Sequence, residues 1–191
     1  MGYFNEYFLE SSKVLSGCSQ NNSRLETFAT AMWDTLKQGG SIYWLGNGGS
    51  ASDAEHLAAE LAGRFKDDRR PLSSYTLTSN SSLITAIAND YGYEQVFSRQ
   101  VNAYLSSNDL IIGITTSGRS INVINALNAA MEIGATTCIM TGKKNDFEKK
   151  YDFVINVDST KTCHIQEAHI AIGQALCGFI EEKVLSEYSS Q

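Results

Sequence analysis

Proline is almost absent: Pro71 is the only one among 191 residues. A chain so poor in helix and strand breakers is expected to consist mostly of regular elements. Cysteine is scarce as well. Cys18, Cys138, Cys163 and Cys177 form no CxxC pair, which argues against a zinc ribbon or a thioredoxin-like redox motif. Cys138 and Cys177 fall in apolar segments and read as buried free thiols. Positive charge is not in excess: 15 Lys and Arg stand against 21 Asp and Glu, a net charge of −6. No basic face for nucleic acid is therefore expected. No apolar run is long enough to span a membrane. The opening residues Met1-Gly2-Tyr3-Phe4-Asn5-Glu6 lack a basic region followed by an apolar run. A secretory signal is not expected, and a cytoplasmic location follows by default. An anionic ligand stays open, because nearby backbone N–H groups outweigh net charge at short range.

What is present reads as one soluble domain, 42% hydrophobic and 19% charged. Apolar positions Phe4, Phe8, Leu15 and then Leu25, Phe28, Met32, Leu36 recur with helical spacing. They predict two leading helices, over 3–17 and 22–38. Their aromatic residues (Tyr3, Phe4, Tyr7, Phe8, Trp33) suit a subunit interface or a core, and both readings stay open. From Ser41 onward strand and helix patterns alternate. Strands are expected at 41–46, 74–78, 110–115, 135–140 and 153–157, and helices at 50–64, 81–88, 93–105, 120–132 and 162–187. Such alternation argues for a parallel sheet covered by helices on both faces. Ligands of such sheets sit beyond the carboxyl ends of the strands.

Two loops after strands carry the chemistry. The first, Gly46-Asn47-Gly48-Gly49-Ser50, leads from an apolar strand into a helix. Glycines let backbone N–H groups approach an anion, and the helix start adds partial positive charge. Ser50 reads as an N-cap with Asp53 three positions on, close to a capping box. His56 and Glu60 then fall at i, i+4 on one helical face. The second loop, Thr115-Thr116-Ser117-Gly118-Arg119-Ser120, offers four hydroxyls and a glycine ahead of a helix. One capped helix needs one hydroxyl, not four, so a phosphate is favoured over simple capping. Neither loop is a Walker A motif, and the first lacks the last glycine of GxGxxG. A third polar cluster, His164, Gln166, Glu167, His169 and Gln174, lies on the last helix. Gln166 and Gln174 are separated by roughly 80° on a helical wheel and can line one pocket, whereas His169 points away from Gln174. His164, at the helix start, is expected at solvent or an interface.

Four blocks carry a resemblance: GNGGSASDAEHLAAELAGR (46–64), AIANDYGYEQVFSRQV (86–101), GITTSGRSINV (113–123) and HIQEAHIAIGQAL (164–176). In this order they resemble the bacterial phosphoheptose isomerases of the sugar isomerase (SIS) domain superfamily, over nearly the whole chain. The resemblance implies a single SIS domain over 1–191, with 1–38 as a helical extension at an oligomer interface. It implies a three-layer α/β/α sandwich around a five-stranded parallel sheet, with a long C-terminal helix. It also implies a homotetramer with active sites between subunits. The implied reaction is aldose–ketose isomerisation of sedoheptulose 7-phosphate to D-glycero-D-manno-heptose 7-phosphate, feeding heptose-containing surface glycans such as the lipopolysaccharide core. By position, it assigns phosphate binding to Thr115, Thr116, Ser117 and Ser120. It assigns substrate contacts to Asn47, Gly48, Gly49, Ser50, Asp90 and Gln166, and catalysis to Glu60.

One position departs from the family pattern. Several members bind zinc through residues matching His56, Glu60 and Gln166, plus a histidine that is also the partner acid/base. That histidine is replaced here by Gln174. An amide hydrogen-bonds but does not exchange protons at useful pH, so Gln174 can polarise a carbonyl or orient a water but cannot titrate. Two amides also make a weak donor set for Zn²⁺. The second acid/base could then be His169 from another angle, or a water. His56 is open to two readings, a ligand or a histidine hydrogen-bonded to Glu60. A non-catalytic phosphosugar-binding or protein-binding SIS protein, like a relative that binds the replication initiator, is the alternative from a different class. Retention of Glu60 and of both loops favours the enzyme.

Overall fold

A computed structural model describes residues 2–143 and 147–188. Two helices lead, α1 (Tyr3–Cys18) and α2 (Asn22–Lys37). They are followed by β1 (Ile42–Gly46), α3 (Gly49–Ala62), β2 (Ser74–Thr76), α4 (Ser81–Tyr91), α5 (Ser98–Tyr104) and β3 (Leu110–Thr115). The chain closes with α6 (Ile121–Ile133), β4 (Thr136–Thr141), β5 (Phe153–Asn156) and α7 (Thr162–Tyr188). The five strands pair in parallel in the order β2-β1-β3-β4-β5.

Alternation within the strands divides the core in two. Ile42 and Trp44 of β1, with Leu110, Ile112 and Ile114 of β3, face a cluster holding Phe28, Met32, Leu57, Leu61, Leu176 and Ile180 from α2, α3 and α7. Tyr43, Leu45, Ile111 and Ile139 face the other side, packed by Ile87, Val101, Val123 and Leu127 from α4, α5 and α6. A strand buried on both faces has no polar side to alternate with, which is why β1 and β3 read as continuous apolar runs. The three-layer sandwich expected from the resemblance is the architecture found. Cys138 and Cys177 are buried free thiols, as expected. Burial pushes the Cys177 thiol up to about 12, with the nearby Glu60 charge adding to the shift.

Three local expectations are corrected. The helix expected over 93–105 is split into a 3₁₀ turn at Tyr93–Gln95 and α5 at Ser98–Tyr104. Side chains take the carbonyls a continuous helix would use: Asn125 Nδ2 donates to Glu94 O (3.1 Å) and Ser98 Oγ to Gln95 O (3.3 Å). Ser50 is not the N-cap of α3. Gly48 is, at φ 55°, and no side chain caps the helix. Positive φ is the reason a glycine stands there. Ser50 instead sits in the first turn, 3% exposed. His164 is not at solvent: it is 1% exposed, with Nδ1 3.0 Å from Glu167 Oε2 and Tyr7 against its ring. Its burial comes from the packing of α1 on α7, a contact between segments more than 140 residues apart.

Candidate functional site

The strand order places the site. From β1 the chain moves outward to β2 on one side and resumes at β3 on the other. The point between β1 and β3 is the topological switch, where loops leave in opposite directions and open a crevice at the carboxyl ends of the strands. Gly46 pairs with Ile114 there, so the two loops singled out in the sequence, 47–50 and 116–120, flank one crevice.

In the first loop, Ser50 N donates to Asn47 O (3.1 Å), and Ala51 N donates to Gly48 O (3.0 Å). The N–H groups of Gly48 and Gly49 have no hydrogen-bond partner among the described residues, as expected at an uncapped helix start. Gln166 of α7 reaches this point. A Cβ at Gly49 would lie 2.5 Å from Gln166 Nε2, so a side chain there would push that amide aside.

The second loop is held at both ends. Thr115 Oγ1 and Ser120 Oγ lie 3.0 Å apart, and Gly142 N donates to Thr116 O (3.1 Å), tying the loop to the end of β4. Ser117 Oγ accepts from Arg119 N (3.1 Å), which leaves its hydroxyl hydrogen free to donate. Ser120 occupies the N-cap of α6 but makes no side-chain cap. Hydroxyls and the start of α6 thus converge with the Ser117 hydroxyl still able to donate, an arrangement suited to phosphate oxygens.

Glu60 lies on α3, two turns and more beyond that helix start. His56 Nε2 is 2.8 Å from Glu60 Oε1, and the side chains are 48% and 19% exposed. Oε1 is therefore engaged and Oε2 is the oxygen left for a ligand. Arg69 fixes the backbone beneath: its guanidinium donates to the carbonyls of Glu60 (2.7 Å), Leu61 (2.8 Å) and Gly63 (3.1 Å). α7 approaches α3 closely because Gly173 has no side chain. A Cβ there would meet Leu57 Cδ1 at 2.3 Å. Gln174 is the next residue along α7, one turn before Cys177, whose Sγ lies 4.0 Å from Leu57 O. Neither the Gln166 nor the Gln174 side chain makes a hydrogen bond among the described residues.

Other expectations fall elsewhere. His169 is fully buried, its Nε2 3.2 Å from Thr141 O, and burial drives its pKa down to about 4. It is bound into the β4 end and is not the second acid/base. Asp90 is exposed near the end of α4 and accepts from Asn89 Nδ2 (2.8 Å). No three His, Cys, Asp or Glu side chains come together as a metal cluster among the described residues. The proposed ligands amount to one imidazole, one carboxylate and two amides, of which His56 and Glu60 bond to each other. That set does not fit zinc, which favours charged or nitrogen and sulfur donors.

Two residues near the site escaped the sequence reading, and a third was read in another role. Asp53, read as a capping partner, lies on the same α3 face as His56 and Glu60. Its Oδ2 is buried without a hydrogen-bond partner among the described residues, and burial raises its carboxyl above the usual range. The i, i+3 and i, i+7 spacing to His56 and Glu60 was the available signal. Asn122 and Tyr93 both bond to Asn47. No spacing rule reveals them, because they meet only across loops.

Known proteins share this sequence pattern and fold. Residues 6–142 match the SIS domain family. A phosphoheptose isomerase of Aquifex aeolicus is 49% identical over 152 residues, which cover 78% of each chain. One from Nitratidesulfovibrio vulgaris is 46% identical over 172 residues, covering 87% of this chain and 83% of its own. Among solved structures, the phosphoheptose isomerase of Neisseria gonorrhoeae superposes with a TM-score of 0.86 at 36% identity, covering 94% of this chain and 97% of that one. The enzyme from Francisella tularensis gives 0.89 at 32% identity, covering 94% and 96%. Fold, crevice and likeness together lead to one conclusion: the chain belongs to the SIS domain family, within its phosphoheptose isomerase group.

Proposed function

We propose that the protein isomerises sedoheptulose 7-phosphate to D-glycero-D-manno-heptose 7-phosphate with Glu60 as the general base. The observation that carries this reading is the Glu60 carboxylate. It is largely shielded, held through Oε1 by His56 at 2.8 Å, and mounted on the helix that begins at the crevice. The names of the relatives from Aquifex aeolicus and Neisseria gonorrhoeae support the same substrate.

The chemistry needs no outside oxidant. Glu60 takes a proton from C1 of the ketose, the C1=C2 bond forms as the C2=O π bond breaks, and the C2 oxygen takes a proton from a water to become a hydroxyl. The hydroxide left behind takes the O1 proton and is water again, C1 becomes the aldehyde, and Glu60 returns its proton to C2. The 115–120 hydroxyls and the start of α6 hold the phosphate, and the open N–H groups of Gly48 and Gly49 meet sugar oxygens. Asp90, Ser50 and Gln166 complete the substrate set. Gln174 serves as a hydrogen-bonding group that polarises the carbonyl or orients a water.

The assembly we propose is a homotetramer that uses the face of α1. Tyr3, Phe4 and Phe8 of that helix are 74%, 74% and 66% exposed, and apolar aromatics in a row mark an interface. We place the protein in the cytoplasm, supplying heptose to a surface glycan such as the lipopolysaccharide core. Among the described residues no helix is long and apolar enough to cross a membrane.

The test is direct. Purified protein incubated with sedoheptulose 7-phosphate should yield the aldose, followed by NMR, with or without added Zn²⁺. Binding without turnover under both conditions would favour the non-catalytic reading, which the amide at Gln174 supports.

A further inference from the structure

Asn122 lies in the first turn of α6 and is 4% exposed. Its Oδ1 accepts the N–H of Val123 at 3.0 Å. A backbone N–H can only donate, so this bond determines which end of the Asn122 amide is oxygen. The amide then pairs reciprocally with Asn47 in the first loop. Asn122 Nδ2 donates to Asn47 Oδ1, and Asn47 Nδ2 donates to Asn122 Oδ1, each at 2.9 Å. Tyr93, from the 3₁₀ turn just past Asp90, donates its hydroxyl to the same Asn47 Oδ1 at 2.9 Å.

A count of donors and acceptors follows. An asparagine carbonyl accepts two hydrogen bonds and its NH₂ donates two. At Asn47 both acceptor sites are filled, by Asn122 and Tyr93, and one N–H is used by Asn122. What remains is a single Nδ2–H donor. Flipping the Asn47 amide would set oxygen against oxygen at Asn122 and leave the Tyr93 hydroxyl facing an NH₂.

We infer that Asn122 and Tyr93 are positioning residues that present Asn47 to the ligand as a donor only, so that this edge of the crevice selects an acceptor oxygen of the phosphosugar. The inference rests on the proposed phosphosugar site, with Asn47 in its lining. It also gives the Asn47–Asn122 pair a second task, joining the β1 and β3 loops across the switch point.

A double-mutant cycle tests it: Asn47→Ala, Asn122→Ala, both together, and Tyr93→Phe, each assayed for KM and kcat with sedoheptulose 7-phosphate. Losing one neutral hydrogen bond to the ligand should raise KM about three- to tenfold in Asn47→Ala and in Asn122→Ala. The effect should fall on KM more than on kcat. The double variant should be no worse than Asn47→Ala alone, because Asn122 acts only through Asn47. Tyr93→Phe removes one hydroxyl from an exposed ring, does not threaten folding, and should raise KM about two- to threefold. Multiplying effects in the double variant would overturn the inference while leaving Asn47 in the site. An unchanged KM in Asn47→Ala would overturn the inference and the placement of Asn47 together. If the wild-type protein binds the sugar phosphate without turning it over, the isomerase reading fails by itself. Calorimetric Kd values then replace KM in the same cycle, with the same outcomes.

Discussion

Replacing Arg69 with methionine removes the cation that closes the carboxyl end of α3. The Arg69 side chain is fully buried and its partner Glu181 is 4% exposed, with Nε 3.5 Å from Oε1. The guanidinium donates to the carbonyls of Glu60, Leu61, Gly63 and Arg70. The Glu181 carboxylate accepts the N–H groups of Phe65 (3.0 Å), Lys66 (2.9 Å) and Asp67 (3.2 Å). Together they bind the turn after α3 to α7 and hold the backbone under Glu60. Breaking a buried pair from one side costs about 3–5 kcal/mol. The three N–H donors still satisfy Glu181 in the variant, so the lower end applies. At about 2–4 °C per kcal/mol for a chain of this size, the melting temperature should fall by roughly 6–12 °C. Arg69→Lys should fall between, since one ammonium cannot reach four carbonyls.

The same variant should lose less stability to acid than the wild type does. Burial pushes the Glu181 carboxyl up, but the three N–H donors and Arg69 outweigh burial and hold it below the usual range. A carboxyl depressed in the folded state contributes stability above its unfolded pKa, lost as pH falls through the folded value. Without Arg69 the carboxyl is depressed less, so this contribution is smaller and the gap between variant and wild type narrows as pH falls. The assay is thermal unfolding from pH 7 to pH 3, with kcat measured on the folded fraction. A melting temperature within about 2 °C of wild type would refute the stability argument. A large drop in stability with kcat unchanged would show that Arg69 does not position Glu60.

Three further outcomes are expected. Glu60→Gln should lower kcat by about 10²–10⁴ while leaving sugar-phosphate affinity measurable by calorimetry; an unchanged rate would remove Glu60 from the mechanism. Gln174→His should raise kcat if the amide only fills the place of a lost acid/base, and a fall in kcat would assign the amide a role of its own. His169→Gln should flatten the pH dependence of stability. Burial lowers His169 from its ordinary 6.5 to about 4, so its stabilising contribution is complete above 6.5 and shrinks as pH falls toward 4, by up to about 1.4 kcal/mol per pH unit. Identical slopes for wild type and variant in chemical denaturation between those pH values would contradict this.

Local patterns made much of the molecule legible in advance. The apolar runs of β1 and β3 and the helical spacing of α2 and α6 reflect burial and periodicity, which act over a few residues and leave a direct trace in the chain. The two loops and the His56–Glu60 pair were equally visible, because a turn, a helix start and an i, i+4 contact are short-range objects. The hydrogen bond between His56 and Glu60, one of two readings left open by the sequence, is present. The absence of a titrating group at Gln174 was also readable from one letter.

What the sequence by itself determined, then, was the set of parts: an α/β chain, two candidate anion-binding loops and one candidate carboxylate base. Only the tertiary structure decided how they meet. The order β2-β1-β3-β4-β5 sets loops almost 70 residues apart on either side of one crevice, and strand order is a property of packing rather than of local preference. Packing also buried His164 under α1 and His169 against Thr141. The Gly92–Phe97 segment left the helical path because Asn125 and Ser98 took its carbonyls. The Asn47–Asn122–Tyr93 cluster and the Arg69–Glu181 clamp join segments 29 to 112 residues apart in the chain. Their energies depend on distances and desolvation that exist only once the sheet and its two helical layers have closed.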